Sequence, residues 1–177
     1  MEENILVEKN KKIVKVFTWI LLVASALVCF SAISGLFTSS FANSFLNNFN
    51  RQSFKIDIHI NQTPYIILAS FKMVISAYIL LSAIFVLQYK EVWRKQIIIG
   101  IILATLYMLT SPLINYINFP QVHIQNTEKL PINIMDAART MSLIIGYLWS
   151  IAWTVFFIIA IVKYNKTETK LLFSETA

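Results

Sequence analysis

The chain has 177 residues, of which 57% are hydrophobic and 14% charged, and its mean hydropathy is +0.65. Soluble domains hold roughly half apolar and about a quarter charged residues, so this balance argues against a water-soluble fold. The net charge of +6 is gathered at the ends of apolar runs, which marks it as a topology signal and gives no support to a nucleic-acid partner.

A helix needs about 20 mostly apolar residues to cross the hydrocarbon core. Four runs meet this requirement, at about 13–37, 65–89, 97–117 and 137–162. They fill so much of the chain that a separate soluble domain has no room, and the whole of 1–177 reads as one transmembrane domain. The first run follows Lys9, Lys11 and Lys12 and carries Lys15 at its start. Lys11-Lys12, the apolar stretch and Ala32-Ile33-Ser34 resemble a cleavable leader, but the run continues to Phe37, longer than the roughly 7 to 15 residues of a leader's apolar region. It reads as a span. Lys90, Arg94 and Lys95 occupy a short turn after the second run, and Lys163, Lys166 and Lys170 follow the fourth. By the positive-inside rule both termini and this turn are cytoplasmic, which puts the loops 38–64 and 118–136 outside. A high content of Ile, Asn and Lys hints at an AT-rich bacterial genome and so at a bacterial cytoplasmic (inner) membrane.

Within the first outer loop Phe37, Phe41, Phe45 and Phe49 recur at every fourth position, the pattern of a helix with one aromatic face that prolongs the span or lies on the bilayer. The period then changes to two, with Phe54, Ile56, Ile58 and Ile60 alternating with Lys55, Asp57, His59 and Asn61, as in a half-buried strand. A shorter version recurs in the second loop, where Val122 and Ile124 alternate with Gln121, His123 and Gln125. Strand edges seek partners, so the two segments are expected to pair as a small two-stranded cap on the outer face of an all-α, four-helix bundle.

His59-Ile60-Asn61-Gln62-Thr63 reappears, amides exchanged, as His123-Ile124-Gln125-Asn126-Thr127, and a span begins soon after each. Ala69-Ser70-Phe71-Lys72-Met73 then faces Ala137-Ala138-Arg139-Thr140-Met141. Two duplicated span-strand-span units would account for this, and so would chance in a chain rich in Ile, Asn and Thr; both stay open.

Ionisable side chains inside spans raise a functional question by default. Lys72 lies about 10 Å below the outer end of the second span and shares a face with Ala69, Ser76 and Ala83, which turns it toward the bundle. Arg139 begins the fourth span, near Asp136. With Ser111 and Asn115 of the third span, where Pro112 frees backbone groups, these form a candidate outer site for an anion or polar ligand. The competing account is structural: Lys72 locks the bundle by pairing with Asp136 or with carbonyls freed at Pro112. The only two histidines, His59 and His123, with Asp57, are candidate ligands for a divalent metal, against simple solvation on exposed strands. No cofactor is implied.

The sequence has no HExxH, GxSxG or redox Cys pair, and all nine Asp and Glu residues lie outside the spans, so neither an enzyme nor a proton-coupled carrier is expected. Lone Cys29 rules out an intrachain disulfide. The best-supported reading is a non-catalytic membrane protein acting through partners, whether another membrane protein or copies of itself, as a regulatory, assembly, sensing or immunity subunit. The alternative is an oligomeric channel or transporter for a small anionic or polar solute. The tail from Asn165 is expected to be disordered, its Leu171-Leu172-Phe173 patch notwithstanding.

Overall fold

The computed structural model describes the backbone of residues 2–49, 56–59, 63–118, 121–124 and 132–174, and the side chains of 8–37, 63–118 and 137–173. Five helices dominate it: α1 (Glu2–Phe49), α2 (Thr63–Val86), α3 (Glu91–Ile117), α4 (Ile132–Asn165) and α5 (Thr167–Ser174). The first four are long and apolar enough to cross a membrane, over Glu8–Phe37, Thr63–Val86, Glu91–Ile117 and Ala137–Asn165. Helix is the state that satisfies every backbone N–H and C=O within the segment where lipid offers no partner. α3 and α4 run past the apolar limits read from the sequence at their basic ends, because the hydrogen-bond ladder continues where hydropathy falls, whereas α2 stops at Val86, short of the expected limit at 89.

At 48 residues, α1 extends roughly 72 Å at 1.5 Å per residue, against a hydrocarbon core of about 30 Å. It carries the backbone on from Phe37 through Phe41, Phe45 and Phe49, so the aromatic-faced segment prolongs the span as a helix. α2 opens with Thr63-Pro64, and a proline in the first turn forfeits a donor that has no intrahelical acceptor. Between α2 and α3 the chain reverses over residues 87–90, through Tyr89 N–H to Val86 O at 2.9 Å and a left-handed Tyr89 (φ 57°). This turn is shorter than the sequence implies. Arg94 belongs to α3, not to the turn.

β1 (Ile56–His59) and β2 (Gln121–Ile124) pair antiparallel at the backbone, with Asp57 opposite His123 and Ile58 opposite Val122. Their side chains and flanks lie outside the described residues. The structure thus supports an all-helical membrane bundle, and a β cap over it stays a proposal.

Consecutive helices pack side by side, α1 on α2, α2 on α3 and α3 on α4. Small residues set the spacing: a Cβ at Gly100 of α3 would stand 2.8 Å from Ile79 of α2, and one at Gly146 of α4 would stand 3.1 Å from the Pro112 ring of α3. Gly100 and Gly146 are therefore both taken up in helix contacts within the chain.

The core is concentrated toward the end that carries the lysines and both termini, here termed the basic end. It comprises Val14 and Leu21, Ile79, Ala83 and Val86, Ile97 and Ile101, Phe157, Ala160 and Tyr164, and finally Leu172 and Phe173. α1 meets α4 here, through Phe17 stacked on Phe156 (centroids 5.5 Å apart) and a Thr18–Tyr164 hydrogen bond of 2.7 Å. At the opposite, far end the bundle opens: from Ala137 to Trp149 no residue of α4 is buried, and Ser150 is the first that is.

The tail corrects an expectation. It is no disordered appendage but a short helix, α5, folded back on the basic end with Phe173 fully buried and Leu171 facing out. Thr169, Leu172 and Phe173 form its buried stripe, at the i, i+3, i+4 spacing of an amphipathic helix.

Candidate functional site

Lys72 sits in the middle of α2's inward stripe, one turn beyond buried Ser76, yet is itself only half-buried. Its Nζ donates to Ser31 Oγ of α1 at 3.1 Å. Of the structural account, the carbonyl freed by Pro112 has another donor, described below, and the side chain of Asp136 lies outside the described residues. Among the described residues no carboxylate lies within ion-pair distance of Lys72.

Arg139 has a different task. Its Nε donates to Tyr116 O at 2.8 Å, and its guanidinium lies over the Tyr116 ring, 4.1 Å from the centroid. A cation on the last carbonyls of a helix satisfies orphan acceptors and opposes the negative end of the dipole. The Tyr65 hydroxyl donates to Asn118 O at 2.8 Å and Asn118 Nδ2 to Ile114 O at 2.8 Å, so α2, α3 and α4 together cap the far end of α3. Lys72 and Arg139 share no partner. Ser111 is half-buried and Asn115 exposed, so among the described residues of the expected site the two cations are bonded separately and Asn115 faces outward.

Pro112 lacks the N–H that would bond Met108 O four residues back. Ser150 of α4 supplies the missing donor, its Oγ 2.7 Å from Met108 O and 2.8 Å from its own Gly146 O. Gly146 lets α4 approach the proline ring closely enough for this. Pro112, Gly146 and Ser150 thus act as one device joining α3 to α4.

The most fully assembled polar cluster lies at the basic end, where sequence reasoning saw only a topology signal. Arg94 is 3% exposed and grips Glu91 with Nε to Oε2 at 2.7 Å and NH2 to Oε1 at 2.6 Å. Its NH1 donates to Tyr164 O at 2.8 Å, which ties the start of α3 to the end of α4. The Tyr164 hydroxyl reaches Thr18 Oγ1. Since Thr18 spends its own proton on Val14 O at 2.8 Å, the tyrosine is the donor. Asn10 Nδ2 donates to Glu168 Oε2 at 2.7 Å, fastening α5 to α1 and placing the two ends of the chain on one side. Nothing in the local sequence pairs Arg94 with a carbonyl 70 positions away.

His59, His123 and Asp57 have side chains outside the described residues, and among the described residues no group of three His, Cys, Asp or Glu could hold a metal. Comparison with known protein families, curated proteins and solved structures finds no match to this chain.

Proposed function

We propose that this integral membrane protein is a non-catalytic subunit that acts through partners, in a regulatory, assembly, sensing or immunity role, with its basic end in the cytoplasm of a bacterial cell. One observation carries the reading: three polar side chains reach separate carbonyls of neighbouring helices and do not meet at a shared point. Ser150 serves Met108, Arg139 serves Tyr116 and Arg94 serves Tyr164. Such bonds hold helices together in lipid. Tyr164, Phe157 and Phe173 fill the basic end, which speaks against a solute path through one chain. The backbone of α1 continues as a helix from Phe37 to Phe49, and in this reading that extension meets the partner. A cap made by β1 and β2, and a duplication that would relate their two units, belong to the same proposal.

The alternative, an oligomeric channel or transporter for a small anionic or polar solute, is favoured by the half-buried Lys72 alone. A mild-detergent pull-down of the tagged chain from its native membrane, with mass spectrometry of what stays bound, decides between them. A stoichiometric membrane partner is expected. A homo-oligomer alone that conducts ions in planar bilayers would replace this reading by the alternative.

A further inference from the structure

We propose that the opening in the far half of the bundle is a binding site for an anionic phospholipid, with the headgroup on Lys72 and an acyl chain lying between α1 and α4. This goes beyond the partner reading and does not depend on it.

The placement of the ammonium motivates the proposal. Lys72 lies nine residues into the span that starts at Thr63, roughly 13 Å along the axis, which puts it below the far surface and within the hydrocarbon region. A cation there is costly unless it finds a counter-charge or reaches the interface. The single recorded partner is a neutral hydroxyl.

The surroundings are open on the side a lipid would enter. The contacts recorded between α1 and α4, Phe17 on Phe156 and Thr18 on Tyr164, belong to the basic end. In the far half Ser31 is exposed, and the flank of α4 that carries Phe156 at the basic end continues at helical spacing through Trp149 (65% exposed) and Ile145 (64%). An acyl chain suits that apolar surface, and a phosphate drawn toward Lys72 suits the charge. A phosphate pairs with an ammonium as a point charge, a role for which lysine serves. A zwitterionic lipid brings its own ammonium to the same place and gains less.

The test uses the full chain, purified and placed in nanodiscs of phosphatidylcholine with a minor share of phosphatidylglycerol, followed by native mass spectrometry of the lipid that survives delipidation. The wild type is expected to retain one phosphatidylglycerol per chain in preference to phosphatidylcholine. Lys72→Gln should weaken that retention roughly fivefold, the order expected for one basic side chain acting on an anionic headgroup, and Lys72→Arg should preserve it. Lys95→Gln, at the basic end, is the control that should leave it in place. Equal retention of both lipids by the wild type overturns the proposal without recourse to any variant. So does unchanged retention in Lys72→Gln, and so does displacement by excess inorganic phosphate, which would reassign Lys72 to a soluble anion. A nanodisc population of tight dimers that retain no lipid would assign the opening to a second copy.

Discussion

Replacing Arg94 by methionine, of similar length and apolar, removes both hydrogen bonds to Glu91 and the one to Tyr164 O. Breaking a buried ion pair by deleting one partner costs about 3–5 kcal/mol. Here the Glu91 side chain is 31% exposed, so its carboxylate regains water and the electrostatic part is discounted. The Tyr164 carbonyl left without this donor restores about 1 kcal/mol of the loss. The net expectation for Arg94→Met is a destabilisation of about 2–4 kcal/mol. Arg94→Lys should fall between, since an ammonium keeps the charge but not the fork that holds Glu91 and Tyr164 together. The assay is equilibrium unfolding in mixed micelles, followed by circular dichroism and tryptophan fluorescence, with Glu91→Gln and the double variant completing a cycle. A loss for Arg94→Met under about 0.5 kcal/mol, the range of an ordinary surface change, would show that the cluster does not join α3 to α4.

Ser150→Ala leaves Met108 O without a donor and should cost about 1 kcal/mol in the same unfolding assay, the usual scale of a hydrogen bond between membrane helices. Gly146→Leu, pushed against the Pro112 ring, should cost about 1–3 kcal/mol by overpacking, and an equal loss in Gly146→Ala would show that the helices cannot yield at all. Phe173→Ala should free α5 while the spans stay folded, so limited trypsin digestion should cut at Lys166 and Lys170 faster than in the wild type, with circular dichroism nearly unchanged; equal cutting rates would mean that α5 is not held by its phenylalanine.

The four spans were legible because a long apolar run has one stable state in lipid. Their ends were not, because hydropathy does not register where a backbone ladder stops. α5 carried a signal that was passed over: Thr169, Leu172 and Phe173 repeat at helical spacing, but eight residues make a marginal helix alone, and the surface offered by Tyr89 and by α1, α3 and α4 gives it reason to fold. The small neighbours of Lys72 indicate its face on α2, whereas its partner, Ser31, was out of reach of any periodicity argument. The partners of Arg139 and Arg94 were hidden for a common reason. Both bond to main-chain carbonyls, Tyr116 O and Tyr164 O, and a carbonyl leaves no trace in a list of side chains. The bond from Ser150 to a carbonyl exposed by Pro112 follows from the chemistry of proline once the two helices are known to touch.

A bundle joined at one end and parted at the other is unequally stiff along the membrane normal. Spreading α1 from α4 at the basic end breaks the Phe17–Phe156 stack and the Thr18–Tyr164 bond, while the same displacement in the far half parts no buried residue of α4 between Ala137 and Trp149. Lateral tension or a change in bilayer thickness therefore does its mechanical work in one leaflet, with Thr18, Tyr164 and the aromatic residues around Trp153 as the pivot.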